Sequence, residues 1–152
     1  MIRLEPGENA VYESEEYEIG LVILQGTCSV KVDDVTFDKL GSRRSVFDGK
    51  PTTVYVPRDS KYEVTATGSM MLEIGVCKVK ARKKYEAFVI DAGDVTTEHR
   101  ASLTGREMLM ILSLQNMREG LTESCLARLT VCRDSGQAIH HISMIQTIFH
   151  LR

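Results

Sequence analysis

From Tyr17 to about Val79, hydrophobic and polar positions alternate in short β-branched and aromatic runs broken by Gly, Pro and Asp. That pattern predicts successive antiparallel strands, an all-β segment. EYEIGLVILQG reads as a strand entering a turn at Gly26. TCSVKVDD then alternates Cys28, Val30 and Val32 with Ser29, Lys31 and Asp33, which predicts one buried face. Asp33-Asp34 reads as a turn into VTFDKLG, and Asp48-Gly49 as a turn between SVF and the next strand. Pro51 and Pro57 bracket TTVYV, so neither has to donate an amide inside a central ladder. The spacing favours a sandwich or a barrel-like jelly roll. Val30, Val32, Val46, Phe47, Val54, Val56, Leu72 and Ile74 are its expected core, and an enclosed Phe47 would cost about 3–5 kcal/mol to truncate to Ala.

After Arg100 the pattern changes. Met108, Ile111, Leu112 and Met117, then Leu121, Cys125 and Leu129, recur at helix-like intervals without a continuous stripe, and Gly120 interrupts them. Thr104 and Glu107 are spaced as a capping box. An irregular or partly helical tail over 101–152 is the expectation. The basic run Lys78, Lys80, Arg82, Lys83 and Lys84 before it reads as a solvated linker.

Composition narrows the function classes. The 152 residues, 43% of them hydrophobic, suffice for one domain with a buried core. A formal net charge of -2 gives no general attraction to phosphate backbones or anionic lipid, so neither nucleic acid nor membrane is an expected partner. No apolar run approaches the roughly 20 residues that span a bilayer and the N-terminus lacks a signal-peptide pattern, which predicts a cytoplasmic protein. Cys28 and Cys77 sit in strand-like surroundings as small buried hydrophobes, and Cys125 and Cys132 complete no CxxC pair. His140, His141 and His150 invite a metal reading, but adjacent imidazoles on a helix diverge by about 100°, and no metal ligand is assigned. His99, between Glu98 and Arg100, reads as part of a surface ion-pair cluster. Asp38 and Asp48 read as turn-solvating carboxylates. Arg43 and Arg44 are the candidate substrate-binding residues, because guanidinium matches the carboxylate of a sugar acid, although one of them being structural fits equally.

The string GSRRSVFDGKPTTVYVP resembles the G-x-R-x-S-V-F-x-x-x-P-x-x-x-Y-[VI]-P region of 5-deoxy-glucuronate isomerases, through Gly41, Arg43, Ser45, Val46, Phe47, Pro51, Tyr55 and Pro57. LEPGE, LQGTCSVKVD and VIDAGDVTTEHR follow that family in the same order, so the resemblance covers residues 1–100. It implies a cupin-like jelly-roll β-barrel, the metal-free N-terminal domain of a two-barrel enzyme of inositol catabolism. A divalent metal is then expected in the C-terminal barrel and no cofactor in this chain. Residues 1–98 contain no histidine and so lack the usual cupin HxH pair. The resemblance also implies a sugar acid as substrate, a further stretch before the segment matching Met1–Glu8, and self-association through apolar surface left by the missing barrel.

Beyond Arg100 the family pattern continues with R-G-x-x-x-x-x-R-x-V-x-x-I-L and then W-S-S-Y-P-P-H-K-H-D, and neither is written in this chain. Reading each codon's third base with the first two bases of the next makes AIHHISMIQTIFHLR compatible with YPPHKHDTDNLPSE. The same frame makes TVCRDSGQA compatible with CVPGQWSS. One frame break near Arg100 therefore accounts for residues 101–152 and predicts an isomerase fragment without activity of its own. The alternative is a stand-alone, metal-free binding or assembly module.

Overall fold

The computed structural model describes residues 1–102, 105–113, 124–134 and 137–147, with side chains described for residues 1–95. It divides into two compact units, Met1–Asp94 and Val95–Arg152, each taken separately below.

The first unit carries nine strands: β1 (Ile2–Leu4), β2 (Asn9–Glu13), β3 (Tyr17–Gln25), β4 (Cys28–Val32), β5 (Val35–Leu40), β6 (Thr53–Val56), β7 (Lys61–Ala66), β8 (Leu72–Lys80) and β9 (Phe88–Ile90). They form two antiparallel sheets, ordered β1-β8-β3-β6-β9 and β2-β7-β4-β5. The chain changes sheet at every connection from β1 to β4 and from β5 to β8, while β4–β5 and β8–β9 stay within one sheet, a pattern consistent with the Greek-key connections of a jelly roll. The expected turns are present. Gly26 and Gly49 have φ of 86° and 87°, and Asp33 takes φ 49° between β4 and β5. Pro51 and Pro57 lie just outside β6, as anticipated.

The core lies between the sheets. Ile19, Leu21 and Ile23 of β3, Val54 and Val56 of β6, and Leu72 and Ile74 of β8 meet Cys28, Val30 and Val32 of β4 and Tyr62 and Val64 of β7. Seven of the eight expected core residues are buried. Phe47 is the correction: it is 40% exposed, beside a buried Val46. The segment between β5 and β6 is a loop rather than a strand, and the turn closed by Asp48 N–H donating to Ser45 C=O sends these two neighbours opposite ways.

The first sheet is also buried on its second face, where Val22, Leu24, Tyr55, Cys77 and Ile90 are at most 4% exposed. This explains why LVIL and TVYV are nearly continuous apolar runs rather than alternating ones. The basic run is no simple linker. Lys78 and Lys80 belong to β8, Lys80 pairs with Glu16 at 2.9 Å, and Lys84 reaches Asp33 at 3.4 Å.

In the second unit β10 (Thr96–Ser102), β11 (Gly105–Ser113), β12 (Ser124–Asp134) and β13 (Gln137–Thr147) form one antiparallel sheet in chain order. The all-β reading holds and the partly helical tail is corrected: Glu107, Met108, Ile111 and Leu112 lie in β11, and Cys125 and Leu129 in β12. The apolar run MLMIL has no period that separates helix from strand, and antiparallel pairing decides it. Thr104, Met117, Gly120, Leu121 and His150 fall outside the described residues.

Candidate functional site

The two arginines singled out from the sequence sit side by side in the β5–β6 loop with opposite fates. Arg43 is 4% exposed. Its Nε and Nη2 donate to the Ile23 carbonyl at 3.1 and 2.8 Å, and its Nη1 to the Gly49 and Val46 carbonyls at 3.2 and 3.5 Å. Burial draws its pKa down to about 10, with Asp48 opposing. Arg44 is exposed, and its backbone N–H donates to Asp48 Oδ2 at 3.2 Å. Of the pair, Arg44 is the guanidinium at the surface, where an anionic ligand would meet it.

The barrel interior does not fit a divalent cation. Its inward positions carry Ile, Leu and Val with Cys28, Tyr62 and Ala66, and no imidazole or carboxylate joins them. Hard cations need oxygen donors and softer ones thiolate or imidazole. The two thiols among the described side chains are held as thiols: burial raises Cys28 to about 12 and raises Cys77 as well. Among the described residues no group of three or more His, Cys, Asp or Glu is arranged to hold a metal. No catalytic step is therefore derived through a metal in this unit. His99 lies in β10, and His140 and His141 in β13, where side chains fall outside the described set.

Two polar arrangements were not foreseen. Tyr55 donates its hydroxyl to Glu18 Oε2 at 3.0 Å, with both residues buried and the Tyr55 ring stacked on Phe88 at 4.8 Å. The signal was the phase of β3: Glu18 shares the face of Val22 and Leu24. The second is Asp33. Desolvation opposes its ionisation, but the Lys61 backbone N–H, Ser60 and the Lys84 ammonium outweigh it and hold the carboxyl below its usual range. Asp33 lines a surface depression of about 450 Å³ with Val11, Lys31, Asp34, Lys61 and Glu63. Cations and carboxylates alternate there, and none of these residues belongs to the arginine loop. Asp38 is exposed on β5.

No described helix is long and apolar enough to cross a membrane.

The family model of KduI/IolB matches residues 1–120. A 5-deoxy-glucuronate isomerase of Shouchella clausii is 33% identical over 104 residues, 66% of this chain and 38% of that protein. One from Bacillus subtilis strain 168 is 30% identical over 107 residues, 70% of this chain and 39% of that protein. The chain thus spans about two-fifths of the length of these curated relatives. Among solved structures, an IolB-like protein from Salmonella typhimurium LT2 superposes with a TM-score of 0.71 at 26% identity, over 86% of this chain and 48% of that one. The antiparallel two-sheet topology is accordingly a cupin-like jelly roll, and the chain belongs to the KduI/IolB family.

Proposed function

We propose that this chain is the N-terminal β-domain of a 5-deoxy-glucuronate isomerase, that residues beyond about Arg100 are read out of the family's frame, and that the chain alone does not turn over substrate. The carrying observation is the match to enzymes of that name over 104 and 107 residues, only 38% and 39% of their length. Conversion of 5-deoxy-glucuronate to 5-dehydro-2-deoxy-gluconate moves protons between adjacent carbons. It needs a base and a group that stabilises charge on the neighbouring oxygens. The apolar lining of the barrel supplies neither, so the reaction belongs to the part of the relatives that this chain does not span. The proposed compartment is the cytoplasm and the proposed substrate class is sugar acids.

The test is an isomerase assay on the purified 152-residue chain after chelation and divalent-metal repletion. No turnover above the blank is expected, and measurable turnover would overturn the assignment of chemistry to missing sequence. A second reading, a binding module that meets a sugar acid through Arg44, is favoured by the surface position of that guanidinium. The same preparation tests it, since a ligand of the native state raises apparent stability. A glucuronate titration without a thermal shift removes that reading and leaves the first intact.

A further inference from the structure

The sheet pairing of β3 with β6 ends at Val22 and Thr53, where two further features coincide. The register of β3 against β8 shifts between Ile23 and Gln25, and Pro51 removes an amide from the chain entering β6. Ile23 keeps one bond to that chain, its N–H donating to Thr52 C=O at 3.0 Å. Its carbonyl is met instead by the Arg43 fork at 3.1 and 2.8 Å. The Arg43 main chain returns the contact, its carbonyl accepting the Gly26 N–H at 3.1 Å. Gly41 makes the close pass possible. It has φ 77°, and a Cβ there would lie 2.6 Å from the Gly26 oxygen and 2.8 Å from Ile23 Cγ2.

We propose that Arg43 is a conformational clamp whose guanidinium replaces a backbone donor at the β3 irregularity and gathers the Ile23, Val46 and Gly49 carbonyls, fixing Gly41–Lys50 as a rigid loop. The two arginines of RRSVF then do different work. Arg43 builds the loop, and Arg44 is what the loop presents. A lysine cannot substitute, because an ammonium has no planar fork with two parallel N–H groups. The clamp does not depend on any ligand, so it stands or falls separately from the functional reading above.

Amide hydrogen exchange on the full chain tests it. In Arg43→Lys the Ile23, Gly26 and Asp48 amides should exchange at least about tenfold faster, while Val30 and Val64 keep their protection. Arg44→Gln should leave all five unchanged. Unchanged rates at the loop amides, or acceleration of the core by the same factor, would overturn the clamp. If Arg43→Lys does not fold, the wild-type side chains still decide. The Arg43 Nε–H should exchange with water at least about tenfold more slowly than that of Arg44, and equal rates would refute the proposal.

Discussion

A buried arginine is the clearest lesson at the scale of single residues. Removing a guanidinium from water is costly, and Arg43 recovers that cost through hydrogen bonds to three carbonyls rather than through an ion pair. The residue type and the RRSVF string were legible, but which arginine turned inward was not, because a loop has no period that assigns its faces. Phe47 failed as a core residue for the same reason. Its Ala variant should cost about 1–2 kcal/mol, since the residue is already 40% exposed, instead of the 3–5 expected for an enclosed ring. Urea unfolding of Phe47→Ala measures this, and a loss above 3 kcal/mol would contradict the loop's placement. Glu18 shows the reverse case: a carboxylate in a buried phase of β3 found the Tyr55 hydroxyl as its donor.

At the scale of strands, the second sheet carries a pH dependence. Cys28 on β4 is raised from 9.0 to about 12 by burial. Tyr62 on β7 is raised from 10.0 to about 12 by burial and then by Tyr12, whose ring stacks on it at 5.4 Å. Raised folded values mean that the unfolded chain releases these protons first as pH rises. Their stabilising contribution is therefore complete below about pH 9 and declines towards pH 12. The loss is about 1.4 kcal/mol per pH unit for each group while the pH lies between its unfolded and folded values. The urea midpoint should fall between pH 8 and pH 10.5, and Cys28→Ala should flatten the early part of that fall. A variant that loses stability as steeply as the wild type would show that the thiol is not its source.

For the whole molecule the decisive measurement is on the DNA. The match to the family model runs to residue 120, past Arg100, so sequencing must cover the codons from Arg100 through residue 120 and on to the end. The expected result is a one-base deletion or two-base insertion close to the Arg100 codon, with W-S-S-Y-P-P-H-K-H-D recovered in the adjacent frame. An intact frame without that string would sink the frame-break reading and leave the second sheet as a segment of this chain in its own right. Neither outcome touches the family assignment.

Sequence alone determined the strands from Tyr17 to about Val79, but not β1, β2 or β9, because alternation at Cys28, Val30 and Val32, prolines flanking β6 and glycines at positive φ are local requirements that any fold of this chain must meet. It also carried the family resemblance, through residues that include those turns. Tertiary structure decided what depends on partners distant in sequence. The Ile23 carbonyl chose Arg43 across twenty positions, and Tyr55 chose Glu18 across thirty-seven. Strand pairing, rather than helix-like spacing, organised Met108, Ile111 and Leu112. A backbone carbonyl left without a ladder partner looks the same in sequence as one that has it, so only the folded chain shows which side chain must supply the missing donor.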